Sequence, residues 1–152
     1  MTRRSTRAET LTQLVNEVFL ANGALLTAGD ALAGVVGLTA AQWQVVGFLE
    51  DGPASAADLA RRRGLRRQSV QETVNRLLRN GMLTRADNPA DGRAPLLHLT
   101  PAARAALATL GRRQANWADG MASGIAPDEL AVTLRTLRAL RERLADAAVE
   151  QG

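Results

Sequence analysis

From Ser55 to Thr100 the chain reads SAADLARRRGLRRQSVQETVNRLLRNGMLTRADNPADGRAPLLHLT. Ser55-Ala56-Ala57-Asp58 has the spacing of a capping box, in which the serine hydroxyl accepts from the backbone N–H three residues on and the acidic side chain reaches back. Gly64 supplies a stop, so a short helix, a tight turn through Leu65 and a second helix follow at the spacing of a helix-turn-helix. In the second helix Val70, Val74, Leu77 and Leu78 fall at i, i+4, i+7 and i+8 and form one apolar stripe. The opposite face then carries Arg67, Gln68, Gln71, Glu72, Asn75 and Arg79, with Arg66 and Ser69 near the helix start. Arginine can fork onto guanine, a carboxamide can pair with adenine, and a helix N-terminus favours phosphate, so this face has the chemistry of base reading.

After Gly81 come two short apolar runs, Met82-Leu83-Thr84-Arg85 and Leu96-Leu97-His98-Leu99, around a loop with Asn88-Pro89 and Asp91-Gly92. The pattern predicts a β-hairpin whose strands Pro89 and Pro95 keep short. Attached to the preceding helices, the hairpin is the wing of a winged helix-turn-helix. Arg93 lies near its tip, where an arginine suits the negative potential of a narrow minor groove. Asp91, two residues before it, is expected to hold that guanidinium by a charge-assisted hydrogen bond.

The run Asp91-Gly92-Arg93-Ala94-Pro95-Leu96-Leu97-His98-Leu99-Thr100 resembles the Asp-x-Arg wing and following Leu-Thr of the MarR (multiple antibiotic resistance regulator) family of bacterial transcription factors. Leu77-Leu78-Arg79-Asn80-Gly81-Met82-Leu83-Thr84-Arg85 is similar to that family's helix-to-wing junction, and the resemblance extends from about Glu9 to about Val149. It implies a homodimer on a palindromic operator in double-stranded DNA, with recognition helices in successive major grooves and wings in the flanking minor grooves. It also implies a small aromatic or amphipathic effector bound between the N-terminal helix and the DNA-binding lobe. The sequence departs from a well-capped pattern at one place: no Ser, Thr or Asp stands just before Arg66-Arg67-Gln68, which makes the first turn of that helix dependent on phosphate.

The charge points the same way. The net charge of +4 is modest for 152 residues, yet Arg61, Arg62, Arg63, Arg66, Arg67, Arg76, Arg79, Arg85 and Arg93 all fall in the helix-turn-helix and wing. There is no cysteine, which excludes disulfides, thiolate metal sites and a cysteine nucleophile. His98 is the only histidine, without the partners a metal site needs, and no Gly-rich phosphate loop or nucleophile–base pair is present. The expectation is a non-enzyme with no cofactor or metal. No unbroken run of eighteen apolar residues occurs and no apolar signal core follows the N-terminal arginines, so a cytoplasmic protein without membrane contact is expected.

Long helices flank the lobe. Residues 1–7, with Arg3, Arg4 and Arg7, read as a basic arm that either touches phosphate or forms a tail. From about Ala8 to Val36 the positions Leu11, Val15, Val18, Asn22, Leu25, Gly29, Leu32 and Val36 make a heptad-like seam, beside a second stripe of Phe19, Leu26 and Ala33. Gly29 permits close approach of another helix. Asn22 is the polar side chain of that seam and either edges an effector pocket with Phe19, pairs across the helix interface to fix register, or meets water at the edge of the seam. Thr39-Ala40-Ala41-Gln42 is a second capping box, opening a helix to about Asp51 in which Trp43 walls a pocket or joins the core. Thr100-Pro101 caps a helix to about Met121, with Gly111 and Gly120 placed for a bend, and Pro127-Asp128-Glu129 opens the last helix with its stripe Leu130, Leu134, Leu137, Leu140 and Leu144.

The expected architecture is mostly α: a winged helix-turn-helix with long N- and C-terminal dimerisation helices and a two-stranded β wing. Residues 1–36 and 101–152 form the helical dimerisation region and residues 37–100 the DNA-binding lobe of one domain. The expected function is sequence-specific transcriptional regulation by a repressor that an effector releases. Candidate DNA contacts are Arg66, Arg67, Gln68, Ser69, Gln71, Glu72, Asn75, Arg76, Arg85, Asp91 and Arg93, and candidate effector contacts are Phe19, Asn22 and Trp43. The alternative is a winged-helix protein-interaction or assembly module without specific DNA binding. Against it stands an exposed helix face rich in amides and arginines, where a protein-binding surface favours an apolar or aromatic anchor.

Overall fold

The structure is a computed structural model and describes residues 5–149. Six helices and one two-stranded sheet follow in the order α1 (Thr6–Ala33), α2 (Ala40–Phe48), α3 (Ala56–Arg63), α4 (Arg67–Arg79), β1 (Leu83–Ala86), β2 (Leu96–Leu99), α5 (Pro101–Ala122) and α6 (Pro127–Val149). This is the mostly helical winged architecture that the sequence predicts. The chain divides into two compact units, one ending at Gln114 and the other beginning at Ala115, so the boundary falls inside α5.

The N-terminus differs from the expected arm. Ser5 Oγ accepts from the Ala8 N–H and caps α1, which therefore starts at Thr6 and takes in Arg7; Arg3 and Arg4 lie outside the described residues. The chain leaves α1 through a 3₁₀ turn at Gly34–Val36. Next, Thr39 and Gln42 close the predicted capping box: Thr39 Oγ1 accepts from the Gln42 N–H at 3.2 Å and Gln42 Oε1 from the Thr39 N–H at 2.9 Å.

A joint not visible in the sequence fixes α1 to α2. Asp30 Oδ1 accepts from the Ala40 N–H at 2.7 Å, placing a carboxylate on the positive end of α2. One residue earlier, a Cβ on Gly29 would lie 2.9 Å from Ala40 Cβ, so the predicted close approach is to α2 of the same chain.

The core of the lobe gathers Val45, Val46 and Leu49 of α2, Leu59 of α3, Val70, Val74 and Leu77 of α4, Leu83, Leu97 and Leu99 of the wing, and Ala103, Leu107 and Leu110 of α5. The antiparallel strands pair Leu83 with Leu99 and Ala86 with Leu96. A third segment joins them, because Leu97 N–H donates to the Ala54 carbonyl at 2.9 Å and ties the wing to the entry of α3. Thr100 does similar work at the other side. Its hydroxyl donates to the Gly81 carbonyl at 2.8 Å and accepts from the Ala103 N–H, joining the end of α4, the wing and the start of α5.

Much of α1 is uncovered in the single chain: Leu11, Val18, Phe19, Leu20, Leu25 and Leu26 are all exposed. Thr6–Val36 is long and apolar enough in composition to cross a membrane, although Asn16, Glu17, Asn22 and Asp30 interrupt it. In the second unit α6 likewise buries no side chain fully, and Leu130, Leu134 and Leu144 stand exposed.

Truncating the fully buried Leu77 to alanine is expected to cost about 2–5 kcal/mol of stability. Gly29→Val is expected to cost about 1–3 kcal/mol, because the atom it meets is a Cβ fixed to the α2 backbone. Chemical denaturation of both variants checks these values.

Candidate nucleic-acid interface

Two glycines set the angle at which α4 is presented. At the end of α3, Gly64 takes φ 62°, the Leu65 N–H reaches the Ala60 carbonyl and the Gly64 N–H the Arg61 carbonyl. At the end of α4, Gly81 takes φ 69° and the same pattern recurs from Met82 to Leu77 and from Gly81 to Leu78. A side chain at either place would be strained in the left-handed region that this motif needs.

The start of α3 makes only the first half of the predicted capping box. Ser55 Oγ accepts from the Asp58 N–H at 3.1 Å, but the Asp58 carboxylate accepts from the Ser55 hydroxyl at 2.9 Å and from the Arg61 guanidinium at 2.7 Å. The hydrogen bond from Ser55, then that from Arg61, holds the Asp58 carboxyl below the usual carboxylate range. Arg62 sits with its guanidinium carbon 5.6 Å from the Phe48 ring centroid, a cation–π distance.

With Val70, Val74 and Leu77 buried, the opposite face of α4 is turned out. Arg66, Arg67, Gln68, Ser69, Gln71, Glu72 and Arg76 are exposed and Asn75 is half-buried. Arg66 occupies the cap position of α4 with no side-chain hydrogen bond to the helix, in agreement with the missing cap in the sequence. Gln68 Nε2 donates to Glu72 Oε1 at 3.4 Å and Gln71 Nε2 to Asn75 Oδ1 at 3.0 Å. From β1, Arg85 Nη2 also reaches Asn75 Oδ1, at 3.4 Å, a link between wing and helix that local sequence patterns do not reveal.

The wing corrects one expectation. Asp91 Oδ1 accepts from the backbone N–H of Arg93 at 3.0 Å, and among the described residues no carboxylate lies within ion-pairing distance of the Arg93 guanidinium. A carboxylate two residues before an N–H is at the spacing of an Asx turn, which satisfies the backbone first. Asp91 therefore shapes the loop, and the arginine head stays exposed. Asn88 shapes the other side, accepting from the Ala90 N–H at 3.0 Å and donating to the Ala94 carbonyl at 2.8 Å.

Between α4 and the wing lies a cavity of about 360 Å³ onto which Arg67, Gln71, Arg85 and Arg93 all face. Four of the sequence-predicted contacts thus meet in one groove, while Gln68, Ser69, Glu72, Asn75 and Arg76 lie elsewhere on α4 and Arg66 at its cap. Three arginines and, among the described residues, no carboxylate line this groove, so its field favours an anion.

A family model described as MarR family matches residues 36–94, which include Arg67, Gln71, Arg85 and Arg93 of this groove. Uncharacterised proteins of Mycobacterium tuberculosis and Mycobacterium bovis are each 31% identical over 131 residues, covering 86% of this chain and 92% of theirs. The chain belongs to the MarR family. Its fold is also that of solved MarR family structures. A MarR family transcription regulator superposes with a TM-score of 0.79 at 22% identity, covering 93% of this chain and 95% of that one. A mutant of E. coli MarR complexed with operator DNA gives 0.78 at 18% identity, covering 90% and 99%. A MarR family regulator from Streptomyces coelicolor gives 0.74 at 24% identity, covering 90% and 96%.

The candidate effector contacts do not come together in the single chain. Trp43 is half-buried and lines an open cleft of about 520 Å³ with Phe48, Asp51, Arg63 and Gln114. Phe19 and Asn22 are exposed on α1 and do not line that cleft.

Because the Asp58 carboxyl is lowered in the folded state, its contribution to stability is present above the unfolded value near about 4 and is lost as pH falls through the folded value. Asp58→Asn should therefore be less stable than wild type at neutral pH and equal to it in strong acid. Thermal unfolding as a function of pH tests this sign.

Proposed function

We propose that this MarR family chain is a sequence-specific, double-stranded-DNA-binding transcriptional regulator, acting in the cytoplasm as a homodimer on a palindromic operator. The observation that carries the reading is the groove in which Arg67, Gln71, Arg85 and Arg93 converge, with the Arg93 guanidinium unpaired among the described residues. Arg66, Arg67 and Arg76 supply charge for phosphate, Gln68, Ser69, Gln71 and Glu72 face the base edges with Asn75 behind Gln71, and Arg93 enters the minor groove beside the wing. The complex of E. coli MarR with operator DNA supports this use of the same fold.

Dimerisation rests on the helices outside the lobe. Within residues 1–36 and 101–152, the exposed apolar residues Leu11, Val18, Phe19, Leu20, Leu25 and Leu26 of α1 and Leu130, Leu134 and Leu144 of α6 are the surface that a second copy covers, while Ala103, Leu107 and Leu110 of α5 stay in the lobe core. A dimer sets the half-site separation at about one turn of DNA. A small aromatic or amphipathic effector is taken at Trp43, with Phe19 and Asn22 belonging to the dimer side of the site. Binding there favours a spacing of recognition helices that no longer fits the operator, and repression is released.

A fluorescence-anisotropy titration against DNA upstream of the chain's own gene, with scrambled DNA as competitor, tests the reading at two salt concentrations. Specific binding with a steep salt dependence is expected; equal and weak binding to both DNAs would refute operator recognition there. In the same assay Arg93→Ala should weaken operator binding by about 1–3 kcal/mol while light scattering still reports a dimer.

A further inference from the structure

The exposed amides of α4 form a chain with a direction. Gln71 Nε2 donates to Asn75 Oδ1 at 3.0 Å, and Arg85 Nη2 donates to the same oxygen from the wing at 3.4 Å. A carboxamide oxygen has two lone pairs, so the acceptor capacity of Asn75 is taken up within the protein. Pairing with adenine in the major groove needs one acceptor for the N6 amino group and one donor for N7 on the same carboxamide. Asn75 has given up the acceptor half of that pattern. Gln71 keeps both halves, because only one of its two N–H groups is engaged and among the described residues nothing donates to its oxygen.

Gln68 offers the nearest comparison on this face. Its amide is tied at 3.4 Å to Glu72, an exposed carboxylate with no third group behind it among the described residues. A carboxylate beside the reading group also repels the DNA phosphates. The Gln71 amide is instead backed by a half-buried asparagine and by a cation anchored on a different element, and it faces the groove that Arg67 and Arg93 line. A long flexible side chain held in this way loses less rotamer freedom when it meets its base.

We infer that Gln71 is the adenine-reading residue of each half-site, and that Asn75 and Arg85 are positioning residues that hold its carboxamide at a fixed angle across the helix–wing junction. The inference rests on the DNA-binding reading above and narrows it to one base. Arg85 then acts on sequence choice as well as on charge.

The test begins by selecting binding sites for the wild-type dimer from a randomised duplex library. Each adenine of the selected half-site is then replaced by purine nucleoside, which lacks the N6 amino group, or by 7-deazaadenine, which lacks N7. The quantity read is the ratio of affinities for adenine and its analogue, from which general losses of affinity cancel. At one adenine per half-site the wild type should lose about tenfold with either analogue. Gln71→Ala should bind all three duplexes alike. Asn75→Ala and Arg85→Ala should each shrink the ratio, and Asn75→Asp, which keeps an acceptor oxygen at the clamp, should restore it, with circular dichroism confirming a folded protein in each case. Full discrimination by Gln71→Ala at every adenine would overturn the assignment, and wild-type ratios in both Asn75→Ala and Arg85→Ala would overturn the positioning role. A library that yields no consensus removes the DNA-binding reading itself, whereas a consensus without a Gln71-dependent adenine removes only this inference.

Discussion

The outward face of α4 exists because its inward face is closed. Val70, Val74 and Leu77 are buried against the rest of the lobe, and that single stripe decides which side chains point away from it. Rotating the helix by one residue would swing it by about 100° and exchange arginines and amides for valines. The cost of exposing such a stripe is of order several kcal/mol, larger than that of any one surface hydrogen bond on the helix. Specific surface chemistry here is a consequence of core packing.

The wing depends on the same packing through its hydrogen bonds. Leu83, Leu97 and Leu99 belong to the core, the Leu97 N–H is held by the Ala54 carbonyl, and Thr100 joins the hairpin to both neighbouring helices. The hairpin is two strands of four residues each, too little to be stable alone. Anchored at its base, it needs only local turn chemistry at its tip, which Asn88 and Asp91 supply through backbone contacts. That division of labour leaves the Arg93 head exposed.

Much of this is legible in the residues because it is local. The caps at Thr39 and Ser55, the stops at Gly64 and Gly81, the apolar stripe of α4 and the hairpin runs are all built from steps of five residues or fewer, and such signals survive in a linear reading. The partner of Asp91 is not legible in the sequence, because a two-residue spacing serves either a backbone or a side-chain donor and only the folded loop decides between them. The bonds from Asp30 to Ala40, from Leu97 to Ala54 and from Arg85 to Asn75 span ten residues or more and leave no periodic trace. α1 starts at Thr6, two residues before the apolar periodicity suggests, because Ser5 caps it ahead of the first seam residue.

The joint between α1 and α2 has a mechanical meaning. A carboxylate bond of 2.7 Å and a glycine pressed against Ala40 leave little play between the two helices. α1 has 28 residues, so it is a lever of roughly 40 Å with its fulcrum near its C-terminal end. A tilt of about five degrees about that fulcrum moves the far end by about 3–4 Å, roughly the rise of one base pair of DNA. By the same proportion, a small displacement imposed at the far end of α1 reaches α2 as a rotation with almost no slack.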